Sequence, residues 1–161
     1  MKFRKTLAEA LVLSKLNYCN IVYAQVPKYL QDRLQRVQTC AAGYVLGRYA
    51  KLTDVIDLNW LPIKENVDFC FAKHTFQAIK SNDWPNYLPI ETVVVKNQRT
   101  LRSNESGLKV QYGELNTFQN QAYTLFNDLP KSTRSCEKFT KFYSEAKRFY
   151  KDKALARVLS L

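Results

Sequence analysis

Apolar residues recur at helical spacing in the first two stretches of the chain. The apolar positions at about 4–24 are Leu7, Leu11, Tyr18, Ile21 and Val22. Those at 28–47 are Leu30, Leu34, Val37, Ala41 and Val45. A repeat of three to four residues places side chains on one face of an amphipathic helix, so each stretch predicts a helix. Pro27 separates the two predicted helices, and Gly47 is expected to end the second.

Three further helices are predicted, at 63–80, near 114–127 and at about 136–158. The apolar arc of the first comprises Ile63, Val67, Cys70, Phe71, His74 and Ala78. The apolar face of the last comprises Phe139, Phe142, Tyr143, Ala146, Phe149 and Tyr150. The stretch 90–112 is the least helical, because its valine run and polar turn favour short strands. The predicted fold class is therefore mainly α: a helical bundle, a short irregular or β-hairpin-like segment, and a long C-terminal amphipathic helix. The regions 1–60 and 61–161 are expected to pack as one compact unit.

Positive charge is concentrated at the two ends of the chain. The 161 residues include 25 Lys and Arg against 14 Asp and Glu, a formal net charge of +11. Residues 1–50 have eight basic and two acidic side chains, 51–130 have eight and nine, and 131–161 have nine and three. A hydrophobic fraction of 46% with four glycines and five prolines is typical of globular proteins and excludes collagen-like chains. The charge indicates a polyanionic partner, nucleic acid before an anionic membrane.

The chain is expected to be intracellular and soluble, without membrane association. Its longest charge-free runs, such as 16–27, are shorter than the ~18 apolar residues of a membrane span. Glu9 interrupts the apolar stretch near residue 1 that imitates a signal peptide. Four cysteines without a CxxC pattern are expected to be reduced thiols.

The sequence offers weak support for catalysis. Cys70 and His74, four residues apart on a predicted helix, could form a thiolate–imidazole dyad or half of a metal site. Both lie on the apolar arc without an identifiable third ligand or orienting carboxylate, so packing in the core is the favoured interpretation. Gly-rich phosphate loops, GxSxG and HExxH do not occur in the sequence. We expect no catalytic residue, metal, cofactor or small-molecule substrate.

Three groups of residues are candidates for nucleic-acid contact. Tyr29, Arg33 and Arg36 follow i, +4, +7 spacing beside the apolar stripe of the second predicted helix. The other candidates are Arg99 and Arg102 in a predicted loop, and Lys141, Lys147, Arg148 and Lys151 on the last helix. Cations neutralise phosphates, and an aromatic ring can stack on a sugar or base. Each group alone is equally compatible with a solvated face, and the last helix could instead lie on an anionic membrane. Together with the net charge, the groups favour binding to a polyanion.

Six short motifs occur in order along about residues 7–150. They are SKLNYCN at 14–20, LQRVQ at 34–38 followed by Ala41 and Ala42, LNWLPI at 58–63, PNYL at 85–88, RTLRS at 99–103 and FNDLP at 126–130. In this order they resemble the region after the palm in reverse transcriptases of non-LTR retrotransposons, the LINE and jockey-like elements.

The resemblance implies a thumb-like helical region at 1–60, followed by the C-terminal segment of an RNA-directed DNA polymerase. In that family the thumb grips the template–primer. The implied partners are therefore RNA or an RNA–DNA duplex, and the palm domain. The metal-binding palm aspartates of the family do not occur in this sequence. We therefore expect a noncatalytic fragment that retains sequence-indifferent binding to the phosphate backbone.

Three positions depart from the pattern of that family. Gly43 follows Ala41 and Ala42 where the family usually has Arg, Glu65 and Asn66 lie where an Arg commonly follows the WLP motif, and Phe126 replaces the usual Trp. Glycine inside a helix also costs about 0.5–1 kcal/mol relative to alanine, which would be typical of a drifting sequence. The alternative is therefore a decayed structural remnant or a protein-interaction domain with no nucleic-acid role.

Overall fold

The computed structural model describes residues 1–81, 107, 108, 110 and 117–160. The α-helices of these residues are α1 (Lys2–Ala8), α2 (Ser14–Asn17), α3 (Lys28–Leu46), α4 (Leu52–Asp57), α5 (Ile63–Ser81), α6 (Phe118–Asn127), α7 (Lys131–Arg134) and α8 (Phe139–Leu159). A π-helical turn at Glu9–Leu13 joins α1 to α2, and a 3₁₀ helix at Asn20–Gln25 follows them. The prediction of a mainly α fold with a long C-terminal helix is confirmed. The segment 90–112, predicted to be irregular or hairpin-like, lies almost entirely outside the described residues.

The helix boundaries agree best where the apolar repeat is regular. The bounds of α3 and α5 differ from the predicted ones by a single residue at one end. The last helix begins at Phe139, later than predicted, because the short helix α7 and a turn precede it. The hydroxyl of Ser135 donates to the carbonyl oxygen of Ser132 within that turn, at 3.1 Å, and does not cap α8.

The first helical run, formed by residues 2–17, buries a different side from the predicted one. Its buried apolar residues are Ala8, Leu13 and Leu16, whereas Leu11 and the following Tyr18 are exposed. Ala8 and Leu13 are five residues apart, which is the repeat of the π-helical turn between them. Because a π turn contains more residues than an α turn, it shifts all later side chains around the axis. The prediction that Leu11 and Tyr18 lie on the buried face is therefore wrong.

The end of α3 depends on two glycines with different roles. Gly47 has a φ of +69°, and this left-handed conformation ends the helix as predicted. Gly43, one turn earlier, faces the backbone of 48–50, and a Cβ there would lie 3.0 Å from the carbonyl oxygen of Arg48. A side chain at this position would require the backbone of the loop to move by a few tenths of an ångström, so glycine suits the close approach. Gly43 therefore has a role in packing, which its interpretation as a residue typical of a drifting sequence does not include.

The loop after α3 is fixed by one ion pair. The Arg48 guanidinium donates to both carboxylate oxygens of Asp54, at 3.1 and 2.6 Å. The same carboxylate accepts the backbone N–H of Lys51 at 2.7 Å, so it caps the start of α4. These hydrogen bonds, the one from Arg48 foremost, lower the pKa of Asp54.

The chain divides into two units. Unit 1 comprises residues 1–70 and 147–161, and unit 2 comprises 71–146, so the boundaries fall within α5 and α8. The predicted boundary between residues 60 and 61 lies inside unit 1. The two ends of the chain therefore belong to the same unit.

The core of unit 1 is built largely from small side chains of the first helical run and α3. Its buried cluster comprises Ala8, Leu13, Ala41, Ala42, Val45, Ala50, Val55, Leu58 and Trp60. The Trp60 indole N–H donates to Glu9 Oε1 at 2.8 Å, so its polar edge is satisfied. At the other end of the chain, Arg157 donates to both carboxylate oxygens of Glu65, at 2.8 and 2.9 Å. This pair fastens the last turns of α8 to α5.

The core of unit 2 is aromatic. The rings of Phe76 and Phe142 are stacked with their centroids 4.0 Å apart, and Phe126 lies 6.3 Å from Phe142. The Asn127 side chain pairs with both the N–H and the carbonyl of Leu108, at 2.8 Å each. This amide therefore holds the extended backbone at 108 against α6.

Candidate nucleic-acid interface

One side of α3 exposes the residues that the sequence places in its basic group. Tyr29, Arg33 and Arg36 are all exposed, and Cys40 and Tyr44 continue the same side towards the end of the helix. These five positions fall within an arc of about 80° around the helix axis. We call them the α3 stripe. At ~1.5 Å per residue, the stripe runs about 23 Å from Tyr29 to Tyr44.

The opposite side of α3 is fixed by two glutamines, which sets the orientation of the stripe. Gln38 is buried and donates to the carbonyl oxygen of Leu61 at 2.9 Å. Gln35 donates to Gln38 Oε1 and accepts the backbone N–H of Ile63, both at 2.9 Å. These side-chain amides form the hydrogen bonds that water would otherwise make with the backbone at 61–63, where α5 begins. The stripe is therefore presented from a helix that is anchored along its length.

Val37 is an apolar member of this exposed side. It was predicted to lie on the buried face of α3, but its side chain is exposed, whereas Ala41 and Val45 are buried as predicted. Tyr29 and Tyr44 are exposed by 64% and 50% respectively. The stripe therefore combines two guanidinium groups with aromatic surface, and Val37 adds apolar surface beside it.

The first helical run adds a cation to one end of the stripe. The Arg4 guanidinium lies 5.9 Å from the centroid of the Tyr44 ring, within the range of a cation–π contact. Neither residue is among the candidates that the sequence predicts. Tyr44 could have been found, because it lies 15 residues after Tyr29 and repeats at helical spacing. Arg4 could not, because only the packing of the first helical run on α3 brings it there.

The basic residues predicted on the last helix separate into two groups. Lys141 is exposed in unit 2, and its ammonium lies 4.0 Å from Glu145. Lys147, Arg148 and Lys151 belong to unit 1, where Arg148 is exposed and the two lysines are half-buried. The structure therefore places these three in the same unit as the α3 stripe, but not Lys141.

Unit 1 combines the basic region 1–50 with residues 147–161 of the basic C-terminal region. Burial lowers the pKa of Lys147, and the charges of Lys151 and Lys5 lower it further, with Glu9 acting in the opposite direction. Lys5 and Glu9 belong to the first helical run, so the field at Lys147 comes from both ends of the sequence. Unit 1 contains 15 Lys and Arg against seven Asp and Glu, a net charge of +8 out of +11. Arg99 and Arg102, the remaining predicted pair, lie outside the described residues.

The candidate thiol and imidazole groups lie in different surroundings. Cys70 is buried, and its Sγ accepts a hydrogen bond from Asn20 Nδ2 at 3.2 Å. His74 is exposed, so the prediction that it packs in the core is wrong. Partial desolvation and then the charge of Lys73 lower its pKa. Burial, together with Glu145, raises the pKa of the Cys136 thiol, which disfavours its nucleophilic thiolate form.

Within residues 1–81, 107, 108, 110 and 117–160, no three His, Cys, Asp or Glu side chains come together in a way that could hold a metal ion. Among the same residues, no helix is both long enough and apolar enough to cross a membrane. Comparison of the chain with protein-family models, curated proteins and solved structures found no match.

Proposed function

We propose that the chain is a noncatalytic part of a non-LTR retrotransposon reverse transcriptase, and that it binds RNA or an RNA–DNA duplex through backbone phosphates without sequence preference. The resemblance of six ordered motifs supports the family, and the α3 stripe supports the binding. The stripe is the observation that carries the proposal, because it exposes Arg33 and Arg36 between two tyrosines on an anchored helix. The palm domain of the parent polymerase is the second proposed partner.

The contacts follow from the chemistry of the stripe. The two guanidinium groups bind phosphate oxygens as charged, bidentate donors. Tyr29 stacks on an adjacent sugar or base. Neither contact reads a base edge, so binding is expected to be independent of sequence. The net charge of +8 on unit 1 raises the local concentration of a polyanion and speeds association.

The salt dependence of binding tests this proposal. Fluorescence anisotropy of a labelled RNA–DNA duplex gives Kd at several salt concentrations, and log Kd is expected to change linearly with log salt. R33Q and R36Q should each reduce the slope by about 1, because each removes one phosphate contact. K64Q removes an exposed lysine of α5 away from the stripe and should leave the slope unchanged. Absence of binding at low salt, or binding that salt does not weaken, would refute the proposal.

A further inference from the structure

The first helical run has a second apolar side that the fold leaves exposed. Phe3, Leu11 and Tyr18 are exposed by 78%, 64% and 76%, and Leu7 lies half-buried among them. We call these four residues the outer row. Phe3, Leu7 and Leu11 recur every four residues along the run, and Tyr18 directly follows Asn17, the last helical residue of the run. The buried residues Ala8, Leu13 and Leu16 form a separate set, so the run has apolar residues on two sides.

The outer row has the form of a helix-packing surface. Helix-in-groove complexes and paired helices use large apolar anchors at three- to four-residue spacing. Burial of apolar surface is favourable in proportion to the area removed from water, so three exposed anchors favour docking. Single exposed apolar residues are normal, whereas contiguous exposed apolar surface is typical of interaction sites.

The charged side chains of the first helical run indicate the charge of a partner that would complement it. Lys2 and Lys15 are exposed on the same run, and neither forms an ion pair in the part of the chain that the structure describes. Glu9 is the acidic residue of the run, and its carboxylate already has partners within the fold. It accepts a hydrogen bond from the Trp60 indole at 2.8 Å and lies 3.9 Å from the Lys5 ammonium. A second copy of this chain would bring lysines against lysines, whereas carboxylates would complement them.

The shape of the outer row favours a polypeptide over a lipid surface or a nucleic acid. The polar residues Thr6 and Ser14 are exposed on the same run, so the row is narrow. A helix that lies in a membrane interface presents a broad apolar face instead. Two of the four residues of the row, Leu7 and Leu11, are aliphatic and offer no ring on which a base could stack, whereas all four can pack against apolar side chains of a polypeptide.

We propose that the outer row docks an acidic amphipathic helix of a partner protein. Apolar residues of the partner pack on Phe3, Leu11 and Tyr18, and its carboxylates face Lys2 and Lys15. This inference does not rest on the proposed nucleic-acid binding, because none of its five residues belongs to the α3 stripe.

The test uses the full chain and a labelled synthetic helix with leucine at three- to four-residue spacing and glutamate on both flanks. The control peptide has lysine in place of each glutamate. We expect saturable binding of the glutamate peptide in fluorescence anisotropy, and binding of the lysine peptide that is weaker by about tenfold or more. L11S and Y18S should each weaken binding of the glutamate peptide by about tenfold, since each removes one anchor. Y49S, which changes an exposed tyrosine outside the row, should leave it unchanged.

Circular dichroism of each variant confirms that the fold is retained, which is expected because the changed side chains are exposed. Absence of binding, equal binding of the two peptides, or full binding by L11S and Y18S would overturn the proposal. Dimerisation in light scattering that L11S abolishes would assign the row to a second copy. Loss in L11S of binding to phosphatidylserine vesicles, or to an RNA–DNA duplex, would assign it to a lipid or to nucleic acid. Each of these three results also overturns the proposal.

Discussion

The close approach of residues 48–50 to α3 makes Gly43→Ala a sharp test of packing in unit 1. By helix propensity alone the substitution should stabilise the protein by up to about 1 kcal/mol, because alanine is the best helix former and glycine among the worst. Gly43 lies inside α3, well before the left-handed Gly47 at its end. The sign of the effect therefore depends on what the new methyl group meets.

The structure predicts that the methyl group meets the backbone of the following loop. The Cβ would lie 3.0 Å from the carbonyl oxygen of Arg48 and 3.8 Å from the backbone nitrogen of Ala50. The loop cannot retreat easily, because Arg48 is held by two hydrogen bonds to Asp54 and Ala50 is buried. Overpacking of this kind costs about 1–3 kcal/mol. After the gain in propensity, we expect G43A to lower the free energy of unfolding by about 1 kcal/mol.

Urea unfolding followed by far-UV circular dichroism measures this change. C40A, on the exposed side of the same helix, is the control and should stay within about 0.5 kcal/mol of the parent. In the double variant G43A/D54N, the loop loses its ion pair and can move, so the cost of the methyl group should shrink. A G43A protein that is more stable than the parent by 0.5 to about 1 kcal/mol would show that propensity alone acts. That result would refute the close approach.

Three further substitutions test the polar contacts of unit 1. E65Q should lower the free energy of unfolding by about 2 kcal/mol. This is less than the usual cost of breaking a buried pair, because the Glu65 side chain is 3% exposed but that of Arg157 is 38% exposed. An unchanged urea midpoint would contradict this expectation. W60F keeps a packed aromatic ring but removes the hydrogen bond to Glu9. We expect the free energy of unfolding to fall by about 1 kcal/mol in the same assay, and an increase would argue against that bond. Because the pKa of Asp54 is lowered in the folded state, its stabilisation is present above the ordinary carboxyl pKa and is lost as the pH falls through the lowered value. D54N should therefore lower Tm at neutral pH and flatten its decline in acid, and parallel Tm–pH curves for the two proteins would exclude this role.

The sequence by itself determined the features that depend on local periodicity. The bounds of α3 and α5, and the existence of the long last helix, follow from apolar repeats within each segment. The exposure of Tyr29, Arg33 and Arg36 has the same origin, since residues beside an apolar stripe face away from the core. Such patterns depend on neighbours within a few turns, which any single helix contains.

Only the tertiary structure decided the features that join distant parts of the chain. The five-residue step from Ala8 to Leu13 turned the first helical run so that Leu11 faces outwards, although the α-helical repeat favours the other side. The loop at 48–50 gives Gly43 a packing role that appears as an unfavourable residue when the helix is considered alone. The same packing places the basic region 1–50 and residues 147–161 in one unit. These outcomes depend on which surfaces pack together. A local apolar repeat indicates that one face of a helix will be buried, but it does not indicate which part of the chain will cover that face.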